Sequence, residues 1–134
     1  MSLLKHVFDV RIYYEDTDAG GVVYHANYLK YMERGRTESL RSLGFEQSQL
    51  KQDEGILFSL TRADIRYQRP ARLDDLLTVR AELIVAKGAR MIFKQSIWRD
   101  DTLLVHADIT LACINTFGRP KRIPQAILAR LQQE

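Results

Sequence analysis

The stretch VFDVRIYYEDTDAGGVVYHANYLKYMERGRTESLRSLG, Val7–Gly44, decides the fold. Val7 to Tyr14 is rich in β-branched and aromatic residues and reads as a strand. An acidic loop, EDTDAGG, follows it. From about Tyr24 to Leu43 the period lengthens. Tyr28, Met32, Gly35, Ser39 and Leu43 recur at three-to-four spacing, with Leu29 and Leu40 beside them, as on one helix face. Gly44 stands where such a helix would stop. Gly35 costs about 1 kcal/mol against Ala in a helix interior, so its presence predicts close approach to another backbone.

Beyond Gly44, Phe45 to Gly55 reads as a short helix and a loop. After Ile56 the period becomes two. Leu57 to Tyr67 is a strand whose apolar parity flips: Phe58 and Leu60 are even, while Ala63, Ile65 and Tyr67 are odd. One extra residue near Thr61 or Arg62 produces that flip, which predicts a β-bulge. Pro70 closes the strand. Leu77, Val79, Ala81, Leu83 and Val85 alternate, and Lys87-Gly88-Ala89 signals a hairpin turn. Met91, Phe93 and Ile97 continue the alternation, broken only by Gln95. Arg99-Asp100-Asp101 marks another turn, and Leu103 to Cys113 forms a long strand. Pro124 to Leu131 suits a short terminal helix with Pro near its first turn. The order is strand, long helix, then four strands in a meander. The expected class is α+β: a five-stranded antiparallel sheet wrapped around one long helix. A long exposed edge strand invites a second subunit, so a homo-oligomer is expected.

The chain has 134 residues and a net charge of +3. That size predicts one domain over residues 1–134, able to fold without metal or disulfide. Hydrophobic residues at 46% and charged residues at 28% argue against disorder. Cys113 is the only cysteine, which excludes an internal disulfide and a cysteine zinc site. The first residues hold no apolar run of signal-peptide length, and no stretch approaches a membrane span. A cytoplasmic, reduced location is expected, with attachment to the surface of the inner membrane left open. The basic clusters Arg66–Arg72 and Arg119–Arg122 read first as solvated charge, so nucleic acid ranks last among partners.

The densest chemical signal is YEDTDAGGVVYHANY, Tyr14–Tyr28. Acids ahead of a helix start cap its free N–H groups, which accounts for Asp16. Asp18 is harder to explain that way. Gly20 and Gly21 after it let backbone approach a ligand. The first N–H groups of the helix, near Tyr24 and His25, suit a developing oxyanion. A carboxylate before such donors attacks a carbonyl or activates water that does. His25 would orient the substrate or relay a proton, or else is a surface histidine. Other chemistries fail on spacing. A calcium loop starting at the D-x-D would put Gly20 and Asn27 at ligand positions. His6, His25 and His106 lack metal-ligand spacing. No P-loop, dinucleotide fingerprint or G-x-S-x-G elbow occurs.

The pattern Y14-x-D-T-D-x-x-G-x-V-Y-H-x-x-Y28 resembles the active-site signature of hotdog-fold thioesterases of the hydroxybenzoyl-CoA thioesterase type. HANYLKYMERGRTE and the run Arg66–Asp75 resemble the YbgC-type branch, acyl-CoA thioesterases encoded with the Tol–Pal envelope system. The resemblance covers essentially the whole chain. It implies a hotdog fold, dimers with a continuous sheet, and tetramers built from two dimers, with active sites at subunit interfaces. It places the catalytic carboxylate on Asp18, as nucleophile or general base, and the oxyanion donor near Tyr24 and His25, with His25 and Tyr14 positioning the groups. Gly21 belongs to the same signature. Ser59 and Thr61 on the second strand become candidate substrate contacts. Coenzyme A brings phosphates, for which Lys87, Arg90, Arg119 and Lys121 are candidates alongside Arg122. No cofactor or metal is implied, coenzyme A being part of the substrate. Acyl carrier protein and phospholipid-synthesis enzymes enter as candidate partners. Two further readings stand beside hydrolysis: a hotdog hydratase or dehydratase on an acyl thioester, and a non-catalytic scaffold that binds a carrier protein.

Overall fold

A computed structural model describes residues 3–131. Five strands form one antiparallel sheet: β1 (Leu4–Arg11), β2 (Leu57–Tyr67), β3 (Leu76–Lys87), β4 (Arg90–Arg99) and β5 (Thr102–Ile114). Their spatial order is β1-β3-β4-β5-β2, so β1 and β2 are the two edges. Helix α1 (Asn27–Ser42) lies across one face, packing over β1 and β3. Two short helices, α2 (Gln47–Glu54) and α3 (Gln125–Leu131), complete the described chain.

The period-two strands explain why α1 has somewhere to lie. Leu77, Val79, Ala81 and Leu83 of β3 are buried, as are Met91, Phe93 and Ile97 of β4 and Ala107, Ile109, Leu111 and Cys113 of β5. All point to the α1 side. The other face carries Arg80, Lys94, His106 and Asp108, and Arg80 stacks on the Trp98 ring at 4.5 Å. The expected bulge is present: pairing of β2 with β5 shifts between Leu60 and Arg62, leaving Thr61 as the extra residue. Its hydroxyl donates to the Thr110 carbonyl at 3.1 Å. Two further shifts, around Ile84 in β3 and between β4 and β5 next to Trp98, leave no trace in the apolar pattern.

Gly35 does lie close against the sheet, but its nearest neighbours there are side chains and not the backbone its helical cost suggested. A Cβ there would lie 3.0 Å from a Val79 methyl and 3.3 Å from Gln95 Nε2. The missing side chain lets α1 settle onto β3. Gly44 ends the helix at φ +91°, and the Phe45 N–H returns to the Leu40 carbonyl at 3.1 Å.

Two boundaries differ from the sequence expectation. β1 begins at Leu4 and ends at Arg11, not Val7 and Tyr14. Tyr13 and Tyr14 look like strand residues, but Asp16 turns back to accept the Tyr13 N–H at 2.8 Å, winding Tyr14–Asp16 into a 3-10 turn. α1 begins at Asn27, not Tyr24. The Tyr24 N–H is drawn instead to the Asp16 carbonyl at 3.0 Å.

Candidate active site

The loop between β1 and α1 is built around Asp16. Its carboxylate accepts the Tyr13 N–H, and its carbonyl accepts both the Tyr24 N–H at 3.0 Å and the Asn27 side-chain amide at 2.9 Å. These bonds tie the strand exit to the helix entrance. Tyr31 lies buried beneath them. Burial, and then the Asp16 carboxylate nearby, raise the pKa of the Tyr31 phenol, so it stays protonated.

Between those ties the chain makes a tight excursion. Thr17 and Val23 bridge, and the Asp18 N–H donates to the Val22 carbonyl at 2.9 Å. Asp18 stands at the start of the tip. Its Oδ1 accepts the Gly20 N–H at 2.8 Å, an Asx-type turn that fixes the carboxylate's direction. A Cβ on Gly20 would sit 3.2 Å from that same oxygen, and Gly21 takes φ +81°. Both glycines therefore serve the carboxylate. Oδ2 has no protein donor among the described residues.

The buried Val23 anchors the excursion, and its N–H donates to the Ala71 carbonyl at 2.9 Å. Val22 bridges Arg72. These contacts bring the loop after β2 against the Asp18 turn. That loop is pinned from below: Arg99 pairs with Asp75 at 2.8 Å, and Asp75 also accepts the Arg72 N–H at 2.9 Å. The Ala71 N–H donates to the Tyr28 phenol oxygen at 3.0 Å. Burial raises the Tyr28 pKa against the lowering effect of that bond, so Tyr28 is a neutral phenol.

A cleft of about 320 Å³ results, lined by Asp18, Val22, Val23, His25, Tyr28, Tyr67, Gln68, Arg69 and Pro70. Its aromatic wall is continuous. His25 meets Tyr67 edge-on at 6.3 Å, and Tyr67 meets Tyr28 at 5.8 Å. Such a cleft offers one carboxylate, one imidazole, one guanidinium and one amide among aromatic and apolar walls, the usual make-up of a small-molecule site. No group of three or more His, Cys, Asp or Glu that would hold a metal ion occurs among the described residues.

The sequence candidates divide by position. Asp18 and His25 both line the cleft, and Gly21 lies in the turn beside Asp18. The Tyr24 ring stacks beside His25 at 4.6 Å, outside the cleft lining, and its N–H is already engaged by Asp16. Among the described residues, the His25 and Ala26 N–H groups have no acceptor, so the open donors sit one and two residues later than Tyr24. Tyr14 is 82% exposed and borders a separate depression with Tyr13 and Leu73. Ser59 pairs with Ala112 on the sheet face away from α1, and Thr61 is the bulge. Lys87 and Arg90 flank the β3–β4 hairpin at the end of the sheet far from Asp18. Arg119 and Lys121 follow β5 at the same far end, where the Lys121 ammonium donates to the Glu54 carbonyl at 2.6 Å and closes α2. Tyr28, Tyr67, Gln68, Arg69 and Pro70 were not singled out as site residues. The run Arg66–Asp75 was the available signal.

Comparison with known proteins agrees with this architecture. Residues 12–131 match the model of the thioesterase-like superfamily. Acyl-CoA thioesterase YbgC of Haemophilus influenzae is 47% identical over 116 residues, covering 87% of this chain and 85% of its own. Acyl-CoA thioester hydrolase YbgC of Escherichia coli is 41% identical over 126 residues, covering 92% and 93%. A probable thioesterase from Bartonella henselae superposes with TM-score 0.87 at 41% identity, over 90% of this chain and 99% of that one. A 4-hydroxybenzoyl CoA thioesterase mutant complexed with 4-hydroxybenzoyl CoA superposes with TM-score 0.89 over 96% and 99%, at 17% identity, a likeness of fold alone. By sequence over most of its length and by the course of its backbone, this chain belongs to the thioesterase-like superfamily and has the hotdog fold.

Proposed function

We propose that this chain hydrolyses acyl-CoA thioesters to the free acid and the thiol, with Asp18 as the reacting carboxylate. The observation that carries the assignment is the contrast within the Asp18 side chain. One oxygen is fixed by the Gly20 amide, and the other is left without a protein donor in a cleft that also holds His25. The named activities of the H. influenzae and E. coli relatives support the substrate class.

The thioester carbonyl sits over the open N–H groups of His25 and Ala26, which stabilise negative charge on its oxygen. Asp18 either attacks the carbonyl carbon or removes a proton from the water that does. The C–S bond breaks, and the thiolate leaves and takes up a proton; on the water route this frees the acid. On the attack route, water then hydrolyses the acyl-aspartyl anhydride. His25 orients the carbonyl or the water. Gly21 permits the close approach.

Coenzyme A phosphates find no cluster of basic side chains in the cleft itself. We therefore read the functional unit as a dimer. Leu60, Thr61, Arg62 and Ala63 are exposed on edge strand β2, whose outer side has no strand neighbour among the described residues. Antiparallel pairing of β2 with its copy would turn the partner's far end towards this cleft. Lys87, Arg90, Arg119 and Lys121 would then serve the neighbouring subunit's site, and Ser59 and Thr61 would lie at the seam. Carrier-protein thioesters present the same reacting group and fall within the proposed range. Acting on such substrates places the chain in the cytoplasm.

The test is thiol release from a panel of acyl-CoAs by wild type and Asp18→Asn. Loss of a general base or nucleophile costs about 10²–10⁴-fold in turnover. Asp18→Asn that releases thiol at the wild-type rate would refute the role of Asp18.

A further inference from the structure

The cleft wall that faces the Asp18 turn begins at Tyr67, the last residue of β2. Its backbone is held by the sheet. Tyr67 pairs with Val105, and the next two N–H groups, those of Gln68 and Arg69, both donate to the Leu104 carbonyl, at 2.8 and 3.1 Å. From this fixed base the side chain crosses to the entrance of α1. Its ring stands edge-on to the His25 imidazole at 6.3 Å and tilts against Tyr28 at 5.8 Å. Its phenol O–H donates to the His25 carbonyl at 3.5 Å. The same carbonyl accepts the Tyr28 N–H at 3.4 Å.

That carbonyl belongs to the peptide unit that carries an open donor. The His25 C=O and the Ala26 N–H are the two polar ends of one planar trans peptide, and they point in opposite directions. The carbonyl faces Tyr28 and Tyr67. The Ala26 N–H therefore faces back out of the helix entrance, where it has no acceptor among the described residues. Regular helical geometry does not yet fix this unit, because α1 begins at Asn27 and its N-cap, Ala26, has no side-chain cap. The direction of the Ala26 N–H thus depends on what grips the other end of its peptide, and Tyr67 supplies the side-chain grip.

Resting on the hydrolase reading above, we propose that Tyr67 is a positioning residue, whose phenol holds the His25–Ala26 peptide so that the Ala26 N–H meets the thioester oxygen. The effect grows during the reaction. As negative charge builds on the thioester oxygen, its bond to the Ala26 N–H pushes electron density through the amide onto the His25 oxygen. That oxygen then accepts the Tyr67 proton more strongly. Both bonds on the carbonyl are long in this structure, and hydrogen bonds of a reacting site shorten in the complex. An interaction that strengthens with the developing charge lowers the barrier without tightening substrate binding. No proton leaves Tyr67 in this step.

The experiment measures kcat and KM for thiol release from an acyl-CoA that the wild type turns over, in Tyr67→Phe and Tyr67→Leu. Tyr67→Phe keeps the ring contacts and removes the hydroxyl. It is expected to lower kcat by roughly three- to tenfold, the scale of one hydrogen bond, with KM and the urea unfolding midpoint unchanged. A fall in kcat at constant KM marks an interaction made in the transition state alone. Tyr67→Leu also removes part of the aromatic wall, and should raise KM on top of the same fall in kcat. The second readout is the carbonyl stretching frequency of the same thioester bound to Asp18→Asn, taken by isotope-edited infrared difference. The oxyanion donors lower that frequency, and adding Tyr67→Phe should reverse part of the lowering, which a purely structural role would not do. Wild-type kcat in Tyr67→Phe, a change confined to KM, a fall in kcat that comes with a lower unfolding midpoint, or an unmoved carbonyl band overturns the proposal and leaves the hydrolase reading standing. No thiol release by the wild type from any acyl-CoA removes the hydrolase reading, and the role of Tyr67 with it.

Discussion

Two regions of this molecule treat their polar groups in opposite ways. In the interface between α1 and the sheet, Arg36, Gln95 and Ser39 are tied to one another or to the backbone of α1: Arg36 to Gln95, Gln95 to the Met32 carbonyl, Ser39 to the Arg36 carbonyl at 2.7 Å. In the loop between β1 and α1, two acids two residues apart part company. Asp16 commits its carboxylate and carbonyl to the backbone and to Asn27, while Asp18 keeps an oxygen for the cleft. The first region spends polarity on position. The second uses one acid to hold the loop and leaves a carboxylate oxygen of the other without a protein donor beside the cleft. Composition alone does not separate them, because what differs is the local geometry around each group.

Substitutions can break or sharpen that contrast. The largest structural effect is expected at Gly35. Gly35→Leu forces a side chain into Val79 and the fixed Gln95 amide, and should lower unfolding free energy by about 3 kcal/mol in urea titration. Asp16→Ala removes the acceptor for the Tyr13 N–H. It should cost about 1–2 kcal/mol and reduce thiol release as well, whereas Asp16→Asn retains most of both. Arg99→Met unpins the loop that carries Gln68–Pro70. With the pair only partly exposed, the expected loss is about 1 kcal/mol, read more strongly in KM than in kcat. Thr61→Val should change stability by no more than about 0.5 kcal/mol, since the bulge is fixed by the register on either side and the hydroxyl is exposed.

The sheet, the helix and the bulge were legible because each leaves a periodic mark. The parity flip between Leu60 and Ala63 located Thr61 within one residue, and Gly35 announced its contact with β3 by its helical cost. The irregularities around Ile84 and Trp98 left no such mark, since the apolar sequence reads through them. At the site, Asp18, Gly21 and His25 were legible in one contiguous segment. The start of α1 was misplaced by three residues, and the open donors by one, His25 and Ala26 in place of Tyr24 and His25, because the Asp16 carbonyl captures the Tyr24 N–H across a turn that no spacing rule records. The opposite wall of the cleft, Tyr67 to Pro70, lies about 40 residues downstream. Tertiary contacts bring it into place: the Val23–Ala71 and Val22–Arg72 pairings, and the Ala71 N–H on the Tyr28 phenol oxygen. Arg36 stands four residues after Met32 and four before Leu40, on the buried face of α1, a spacing that the charge of the side chain masked.

The division of labour between the two acids is tested most directly by measuring thiol release and urea unfolding on the same preparation of Asp18→Asn. Turnover should fall by about 10²–10⁴-fold, while the unfolding midpoint stays where it is in the wild type. Turnover near the wild-type level, or a midpoint that drops as it does for Asp16→Ala, would contradict the account.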